Sequence, residues 1–375
     1  MADIALGVRP PPFVLPSYSL TSDLLSFQRC GLQYRMTGIG RLPSSEPVQM
    51  WFGQFIHGVM EEAYRRFAAH PLAYASGWAD AEIDEIIVLI DARLSAQGLR
   101  AWEEKGRELG YERARVAVRE LGADLFPLIH RAEVRLTGSR RLDPPRAGVE
   151  RYEIAGVVDV ITYVELTNPD LADNSLVRAI RRALGGALPN EFEVIIDYKG
   201  TRRPAERGDP FGEIYKWQVQ TYGHLRGQQE DSLPVAAGMV LYLNELYPSA
   251  GDITKLRKEM REGTADIVPA AGSDAERILS GRGDATHDRL PIAFRLERAI
   301  RVYPISGATI REALAAFDGV VGRIETCRAS ERTTGQVISA WEKNASDEGT
   351  CAACDTRTVC TAYRRENEPA VPGLA

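Results

Sequence analysis

An acid and a lysine stand two residues apart at the end of a near-continuous apolar segment. Asp197 and Lys199 close a run that begins at Phe192, and Asp159 lies among aliphatic residues in a second strand-like segment. A carboxylate is costly to bury among aliphatics unless it is paired or binds a metal ion. Two acids on adjacent strands can converge on one divalent cation, and oxygen ligands favour Mg²⁺ or Mn²⁺. Lys199 faces the same side of a strand as Asp197, so it can orient water and stabilise phosphate charge.

Three further residues could join this chemistry. Gln218 and Tyr222 have i, i+4 spacing on a predicted helix, so one face could hydrogen-bond a phosphate or a ligating carboxylate. His57 could supply a neutral imidazole ligand from an earlier helix. The Asp-x-Lys motif, the Gln-x-x-x-Tyr motif and His57 each have a plainer structural alternative. Asp-x-Lys can be a buried salt bridge, Gln-x-x-x-Tyr an amphipathic helix face, and His57 a hydrogen-bonded helix histidine.

The cysteines form a second pattern. Cys351, Cys354 and Cys360 have C-x2-C-x5-C spacing, and Cys30 stands alone more than 300 residues earlier. Four thiols can hold an iron–sulfur cluster or a zinc ion, and structurally idle thiols are the alternative. Five cysteines in 375 residues do not make a disulfide framework. Cys327 falls in an apolar helical stretch, which predicts a buried core thiol.

Composition describes an ordinary globular chain. Its residues are 44% hydrophobic and 26% charged, with a formal net charge of −6. No apolar run approaches the roughly 18 residues of a membrane span, and the N-terminal residues lack a secretory pattern. We therefore expect a cytoplasmic protein without a membrane partner. The absence of a G-x-x-x-x-G-K-[ST] loop argues against an ATP motor in this chain.

Periodicity predicts helices in the first third and a mixture of strands and helices afterwards. The first helix should run to about Met36 and carry Cys30 in its last turns. The other predicted helices cover 48–69, 80–96, 101–130, 175–185, 211–229 and 306–343. The predicted strands are a hairpin over 148–166 that turns near Ala155-Gly156, then 192–198, 235–246 and 292–302.

In chain order, these motifs resemble the PD-(D/E)XK nucleases of the RecB type. More narrowly, they resemble the iron–sulfur branch, seen in the AddB nuclease domain and the CRISPR-associated exonucleases of the Cas-four group. The order is Cys, Gly-x-x-x-His, Gly-x-x-Asp, Asp-x-Lys, Gln-x-x-x-Tyr and C-x2-C-x5-C, spanning Ser19 to Arg364. The family often has proline after the first cysteine, where this chain has Gly31. About 100 residues separate His57 from Asp159, which predicts a helical insertion.

The resemblance implies a role for each motif residue. His57, Asp159, Asp197 and the backbone carbonyl of Tyr198 would bind Mn²⁺ or Mg²⁺. Lys199 would be the catalytic lysine, and Gln218 and Tyr222 would contact DNA or that lysine. The cysteines would hold a [4Fe–4S] cluster, with the ligands Cys30, Cys351, Cys354 and Cys360.

The expected fold class is α/β, with a mixed central sheet flanked by helices around a restriction-endonuclease-like core. A helical insertion and an iron–sulfur clasp joining the two ends complete it. The predicted bounds are an extended arm 1–17, one nuclease domain 18–366 and a tail 367–375. Within that domain we predict cluster-binding segments 18–47 and 346–366, a helical insertion 70–147 and a nuclease core 148–345.

The expected function is metal-dependent DNA cleavage. We expect an exonuclease acting on single strands or DNA ends in repair, recombination or phage defence, perhaps with a helicase or other DNA-processing partner. Two alternatives stay open at this point. One is a non-catalytic nucleic-acid-binding subunit on a nuclease fold, and the other is a zinc-stabilised interaction protein.

Overall fold

A mixed β-sheet flanked by helices contains the apolar segment that ends in Asp197 and Lys199. The computed structural model describes residues 15–42, 50–186, 188–206, 209–281, 290–344 and 348–363. The predicted α/β class with a mixed sheet is confirmed. Nearly all of the predicted arm and the whole tail lie outside the described residues.

The strands are β1 (Ser17–Ser19), β2 (Ile129–Arg146), β3 (Val149–Glu165), β4 (Glu191–Lys199), β5 (Val235–Tyr242) and β6 (Ile300–Pro304). Strand β3 pairs with β1 in parallel and with β4 in antiparallel orientation, and β2 also pairs with β3. Strand β5 lies parallel to β4 and antiparallel to β6. The parallel pair β4–β5 requires a crossover, which contains a long helix.

The helices are α1 (Leu25–Arg29), α2 (Gly31–Tyr34), α3 (Met50–Ala69), α4 (Asp80–Ala96), α5 (Glu104–Leu125), α6 (Ser175–Leu184), α7 (Phe211–Gly227), α8 (Ala250–Glu262), α9 (Asp274–Ser280), α10 (Ile292–Ala299), α11 (Gly307–Thr334), α12 (Val337–Ala340) and α13 (Glu348–Ala352). Helix α7 is the crossover between β4 and β5. Among the described helices, none is both long and apolar enough to cross a membrane.

The chain divides into two compact units. The central unit comprises Ser45–Leu136 and Val157–Leu314, and the terminal unit comprises Met1–Ser44, Thr137–Gly156 and Ala315–Ala375. In the central unit, alternate residues of β4 (Val194, Ile196 and Tyr198) enter one hydrophobic core with Phe55 and Ile56 of α3. This packing fixes α3, and therefore His57, against the end of β4.

The terminal unit brings the segments that contain the predicted cluster ligands together. Phe27, Tyr34 and Trp341 pack edge to face, with ring centroids 6.1 to 6.3 Å apart. The backbone N–H of Leu32 donates to the carbonyl of Glu342 at 2.8 Å. The chain has Gly31 where the related family often has proline. A Cβ at this position would lie 3.0 Å from the same Glu342 carbonyl oxygen, so a side chain would be crowded there.

The prediction of one continuous helix through Cys30 is wrong. The chain forms a π-helical turn at Leu20–Leu24, then α1, then an extended residue at Cys30 with φ −164° and ψ 114°. Helix α2 and a second π-helical turn (Arg35–Ile39) follow. The break leaves Cys30 between two short helices instead of inside a helical turn.

Two strand predictions are also wrong. The hairpin turns at Ala147-Gly148, where both φ angles are positive (49° and 83°), as a two-residue type I′ turn requires. Residues 149–165 are therefore one long strand. Residues 292–299 form α10 instead of a strand, because a short apolar run does not separate the two periodicities.

The predicted helical insertion over 70–147 is helical only in its first part. Helices α4 and α5 agree with the prediction, but α5 ends at Leu125 before the turn Phe126–Leu128, which contains Pro127. Residues 129–146 then form β2.

Candidate active site

Asp197, Lys199 and Gln218 form a closed triangle of polar contacts. The Lys199 ammonium lies 2.6 Å from Oδ2 of Asp197 and donates to Oε1 of Gln218 at 3.0 Å. The amide nitrogen of Gln218 donates to Oδ1 of Asp197 at 2.7 Å. Strand β4 supplies the first two residues and α7 the third, so the crossover helix closes the triangle. The Asp197 side chain is only 4% exposed.

The opposite charges of Asp197 and Lys199 stabilise each other. Burial alone lowers the pKa of Lys199, but the charge and hydrogen bond of Asp197 outweigh it, and the net shift is upward. The lysine is therefore a charged ammonium at neutral pH. Asp197 Oδ2 is buried without a hydrogen bond of good geometry, despite its ion pair with Lys199. That oxygen keeps capacity for another positively charged partner.

Asp159 lies on β3 beside Asp197. Val160 pairs with Ile196, and Asp159 and Asp197 are the residues next to this pair on the two strands. The backbone N–H of Tyr198 donates to Oδ2 of Asp159 at 2.8 Å. Burial, and then the charge of Asp197, raise the pKa of Asp159 to about 7. The two carboxylates repel each other, so a cation bound between them would be stabilising.

His57 approaches the same point from α3. Its Nε2 lies 2.9 Å from the carbonyl oxygen of Tyr198, and its Nδ1 lies 3.5 Å from Oδ2 of Asp159. About a third of its side chain is exposed (32%), so solvent can reach it. The imidazole, this carbonyl and the Asp159 carboxylate are three of the four groups that the family resemblance implies as ligands of one cation.

Glu133 on β2 was not identified from the sequence. One of its carboxylate oxygens lies with a ligand atom of His57 and of Asp159 in a group whose atoms are all within 4.8 Å of one another. Burial, then the charge of Glu61, raise the pKa of Glu133. Its φ angle is +52°, unusual for a non-glycine residue in a strand. The sequence analysis did not predict β2, so it gave no reason to place Glu133 near this site.

Two tyrosines of α7 lie near the triangle. The Lys199 ammonium stands 4.9 Å from the ring centroid of Tyr215, a cation–π distance. The Tyr222 hydroxyl lies 3.5 Å from the amide nitrogen of Gln218, at the limit of a hydrogen bond. Tyr222 thus contacts Gln218, and Tyr215, which the sequence did not single out, contacts the lysine.

The donor set suits a divalent cation of the Mg²⁺ or Mn²⁺ type. It consists of carboxylate oxygens, a backbone carbonyl and one imidazole, which are hard or intermediate ligands. Asp159, in the middle of β3, and Asp197, near the end of the adjacent β4, supply negative charge. We call Asp159, Asp197, Lys199 and Gln218 the acid–lysine site.

The four predicted cluster ligands line one cavity of the terminal unit. This cysteine cavity is lined by Cys30, Cys351, Cys354 and Cys360 together with side chains such as Leu32 and Thr356. All four are partly buried and form no disulfide among the described residues, and Cys327 is buried as predicted. The Cys354 sulfur lies 3.2 Å from the Thr356 hydroxyl, and the Cys351 sulfur 3.7 Å from the carbonyl of Asn344.

A larger cavity of about 820 Å³ lies in the central unit, and none of the predicted site residues lines it. Arg178 and Arg182 of α6 border it, as do Arg203 and Arg301. The last two both bind Asp266, so their charge is partly neutralised. Size alone does not make this cavity the reaction site, because the metal-ligating and lysine groups are elsewhere.

Residues 21–167 match a family model described as the PD-(D/E)XK nuclease superfamily. The matched segment contains Cys30, His57, Glu133 and Asp159. It ends before Asp197, Lys199 and Gln218, so the geometry of β4 and α7 supplies that part of the argument. A search of curated proteins found no match to this chain.

Proposed function

We propose that this chain is a metal-dependent deoxyribonuclease of the PD-(D/E)XK type. The observation that carries the proposal is the acid–lysine site beside His57. A charged lysine is held by Asp197 and Gln218 within a site whose second acid, Asp159, is buried one strand away. A structural salt bridge would need Asp197 and Lys199, but it would not need Asp159, His57 and Gln218 around them.

The residues that would hold Mn²⁺ or Mg²⁺ are His57, Asp159, Asp197 and the carbonyl of Tyr198. When bound, such a cation polarises the phosphate and lowers the pKa of a water ligand. Lys199 contributes a fixed positive charge for the phosphate oxygens, which gain charge in the transition state. Gln218 holds Lys199 and Asp197 in one orientation, so little rearrangement is needed when DNA binds.

The proposal extends to a [4Fe–4S] cluster in the cysteine cavity, as in the RecB-type iron–sulfur branch. Support comes from four cysteines that line one cavity, although Cys30 is more than 300 residues from the other three. Four thiolates are the usual ligand set of such a cluster. The cluster would act as a structural clasp in the terminal unit and take no part in cleavage.

The proposed reaction is exonucleolytic cleavage of single strands or frayed DNA ends. The sequence contains no ATP-binding loop that could drive unwinding, which favours substrates already open. A helicase encoded elsewhere could supply them during repair, recombination or phage defence. A non-catalytic binding subunit is the second candidate, and the charged lysine held beside two buried acids speaks against it.

The test is cleavage of single-stranded DNA labelled at either end, with Mn²⁺, by full-length protein purified without oxygen. We compare wild type with Lys199→Ala and, as a matched control, Lys216→Ala. Lys216 is on the same helix as Gln218 but pairs with Glu213. We expect Lys199→Ala to lower the cleavage rate by at least about a hundredfold, the scale of losing one transition-state charge partner.

The ladder from each labelled end would give the polarity of degradation. Equal rates for wild type and Lys199→Ala would place any cleavage outside the acid–lysine site. No cleavage of DNA or RNA by wild type with either metal ion would favour the binding subunit. If the preparation contains zinc and lacks broad absorbance near 400 nm, the cysteine cavity binds zinc and not an iron–sulfur cluster.

A further inference from the structure

Glu133 lies beside the acid–lysine site, and the proposed function gives it no role. In the part of the chain that the structure describes, its side chain makes no hydrogen bond or ion pair. Yet one of its carboxylate oxygens shares a group with His57 and Asp159 in which all ligand atoms lie within 4.8 Å.

The spacing of this group fits one cation. An octahedral Mg²⁺ about 2.1 Å from each ligand holds opposite ligand atoms about 4.2 Å apart. Atoms already within 4.8 Å therefore need only a small rotation of exposed side chains to share an ion. Two of the three residues, His57 and Glu133, are partly or largely exposed and can make that rotation.

Charge balance supports the same role. Asp197 already faces the Lys199 ammonium at 2.6 Å, so its negative charge is largely offset. Asp159 alone would leave a divalent cation with one uncompensated charge beside a neutral imidazole. Adding Glu133 supplies the second negative charge, and hard carboxylate oxygens are the ligands that such ions prefer.

The backbone at Glu133 is the third observation. A φ of +52° in a strand is costly for a residue with a Cβ, and such conformations concentrate at functional sites. Neighbouring Glu61 is four residues after His57 on α3, but it is not in the group of close ligand atoms. It provides a nearby acid of similar charge for comparison.

We propose that Glu133 is a direct ligand of the divalent cation held by His57 and Asp159. The proposal rests on the nuclease site described above and adds a carboxylate to its ligand set. It assigns β2 a functional role: the strand delivers a ligand to the site. Glu133 would then set the affinity for the cation, whereas Lys199 acts on the phosphate and Gln218 orients that lysine.

The test is Mn²⁺ binding to full-length protein, measured by calorimetry and by electron paramagnetic resonance of free Mn²⁺. The variants are Glu133→Gln, Glu133→Asp, Glu61→Gln and Asp159→Asn. We expect Glu133→Gln to weaken binding at least about tenfold, the scale found when even supporting residues of metal sites are lost. Glu133→Asp should weaken binding too, because its carboxylate is withdrawn by one methylene although its charge remains.

Glu61→Gln should change the affinity by less than about threefold, since it removes a nearby charge but no ligand. Wild-type affinity in Glu133→Asp, or equal losses in Glu61→Gln and Glu133→Gln, would overturn direct ligation and leave a general charge effect. If Asp159→Asn binds Mn²⁺ like wild type, or wild type binds none, the proposed nuclease site itself fails. That outcome is distinct from a failure confined to Glu133.

Discussion

The acid–lysine site and the cysteine cavity both join residues far apart in the chain, but they are held in different ways. In the first, Asp197, Lys199 and Gln218 bind one another, and Asp159 accepts a backbone N–H. In the second, four cysteines line a cavity, and the contacts of their sulfur atoms include that of Cys354 with the Thr356 hydroxyl. Contacts between side chains organise the first, whereas the proposed cluster would join the thiols of the second.

This difference predicts opposite effects on stability. Removing an acid from the acid–lysine site should relieve repulsion between buried carboxylates in the metal-free protein. If the cysteine cavity holds the proposed cluster, removing one of its thiols should release that clasp and lower stability. We therefore expect substitutions of the acids in the acid–lysine site to lower activity without lowering stability, and substitutions in the cysteine cavity to lower stability.

The largest effect is expected for Cys354→Ala. Losing the clasp frees a closed loop of more than 300 residues, which we expect to lower the free energy of unfolding by at least about 3 kcal/mol. Denaturant unfolding without oxygen, together with absorbance near 400 nm, measures both changes. Cys327→Ala is the control, since this buried thiol is outside the cavity and its loss should leave the absorbance unchanged. An unaltered unfolding midpoint in Cys354→Ala would mean that the terminal unit holds itself together.

The opposite sign is expected for Asp159→Asn in the presence of a chelator. The pKa of Asp159 is raised from 3.8 to about 7, so the folded protein binds this proton more tightly than the unfolded chain does. Ionised Asp159 therefore costs stability above pH 7, and this cost disappears as the pH falls from 7 toward 4. Asparagine keeps an oxygen for the N–H of Tyr198 but cannot ionise.

We expect metal-free Asp159→Asn to be about 1 to 3 kcal/mol more stable than wild type at pH 8. The difference should shrink to almost nothing near pH 4. Thermal unfolding across this pH range measures it, with Asp173→Asn, at an exposed position, as the control. A variant less stable than wild type at pH 8 would mean that Asp159 is stabilised by its neighbours and not strained by them.

A smaller, purely kinetic effect is expected for Gln218→Ala. This change removes the hydrogen bonds that orient both Lys199 and Asp197, without removing either charge. Cleavage should slow by about tenfold, which corresponds to about 1.4 kcal/mol in the barrier. Gln220→Ala is a close control, because this buried glutamine of the same helix has an amide nitrogen without a partner among the described residues. Equal losses in the two variants would indicate damage to α7 instead of misorientation of the lysine.

Local sequence patterns predicted the strand that carries Asp197 and the helices that carry His57 and Gln218. These elements are long or strongly apolar, so their periodicity is clear. The strand pattern also suggested that Asp159 and Asp197 converge on one cation, and the resemblance added the carbonyl of Tyr198 to the ligand set. The helix break at Cys30 was missed, because the surrounding residues favour helix and the tertiary contact of Leu32 with Glu342 decides otherwise.

The residues missed in the site share one cause. Glu133 reaches the site through a positive φ in a strand that was predicted to be part of a helical insertion. Tyr215 reaches Lys199 because α7 crosses β4 at a particular angle, which spacing along one helix does not encode. Both contacts depend on how elements pack together, so a single sequence gave no basis for predicting them.

Tyr215 offers the smallest and most specific test of how the acid–lysine site is organised. Its ring lies 4.9 Å from the Lys199 ammonium and can hold that charge through a cation–π contact worth about 0.5 to 2 kcal/mol. Tyr215→Phe keeps the ring and should cleave DNA at nearly the wild-type rate. Tyr215→Leu keeps bulk but loses the π face, and we expect a loss of about two- to fivefold in kcat. If Tyr215→Phe loses as much as Tyr215→Leu, the hydroxyl is the group that matters, and the ring contact with Lys199 is incidental to the packing of α7.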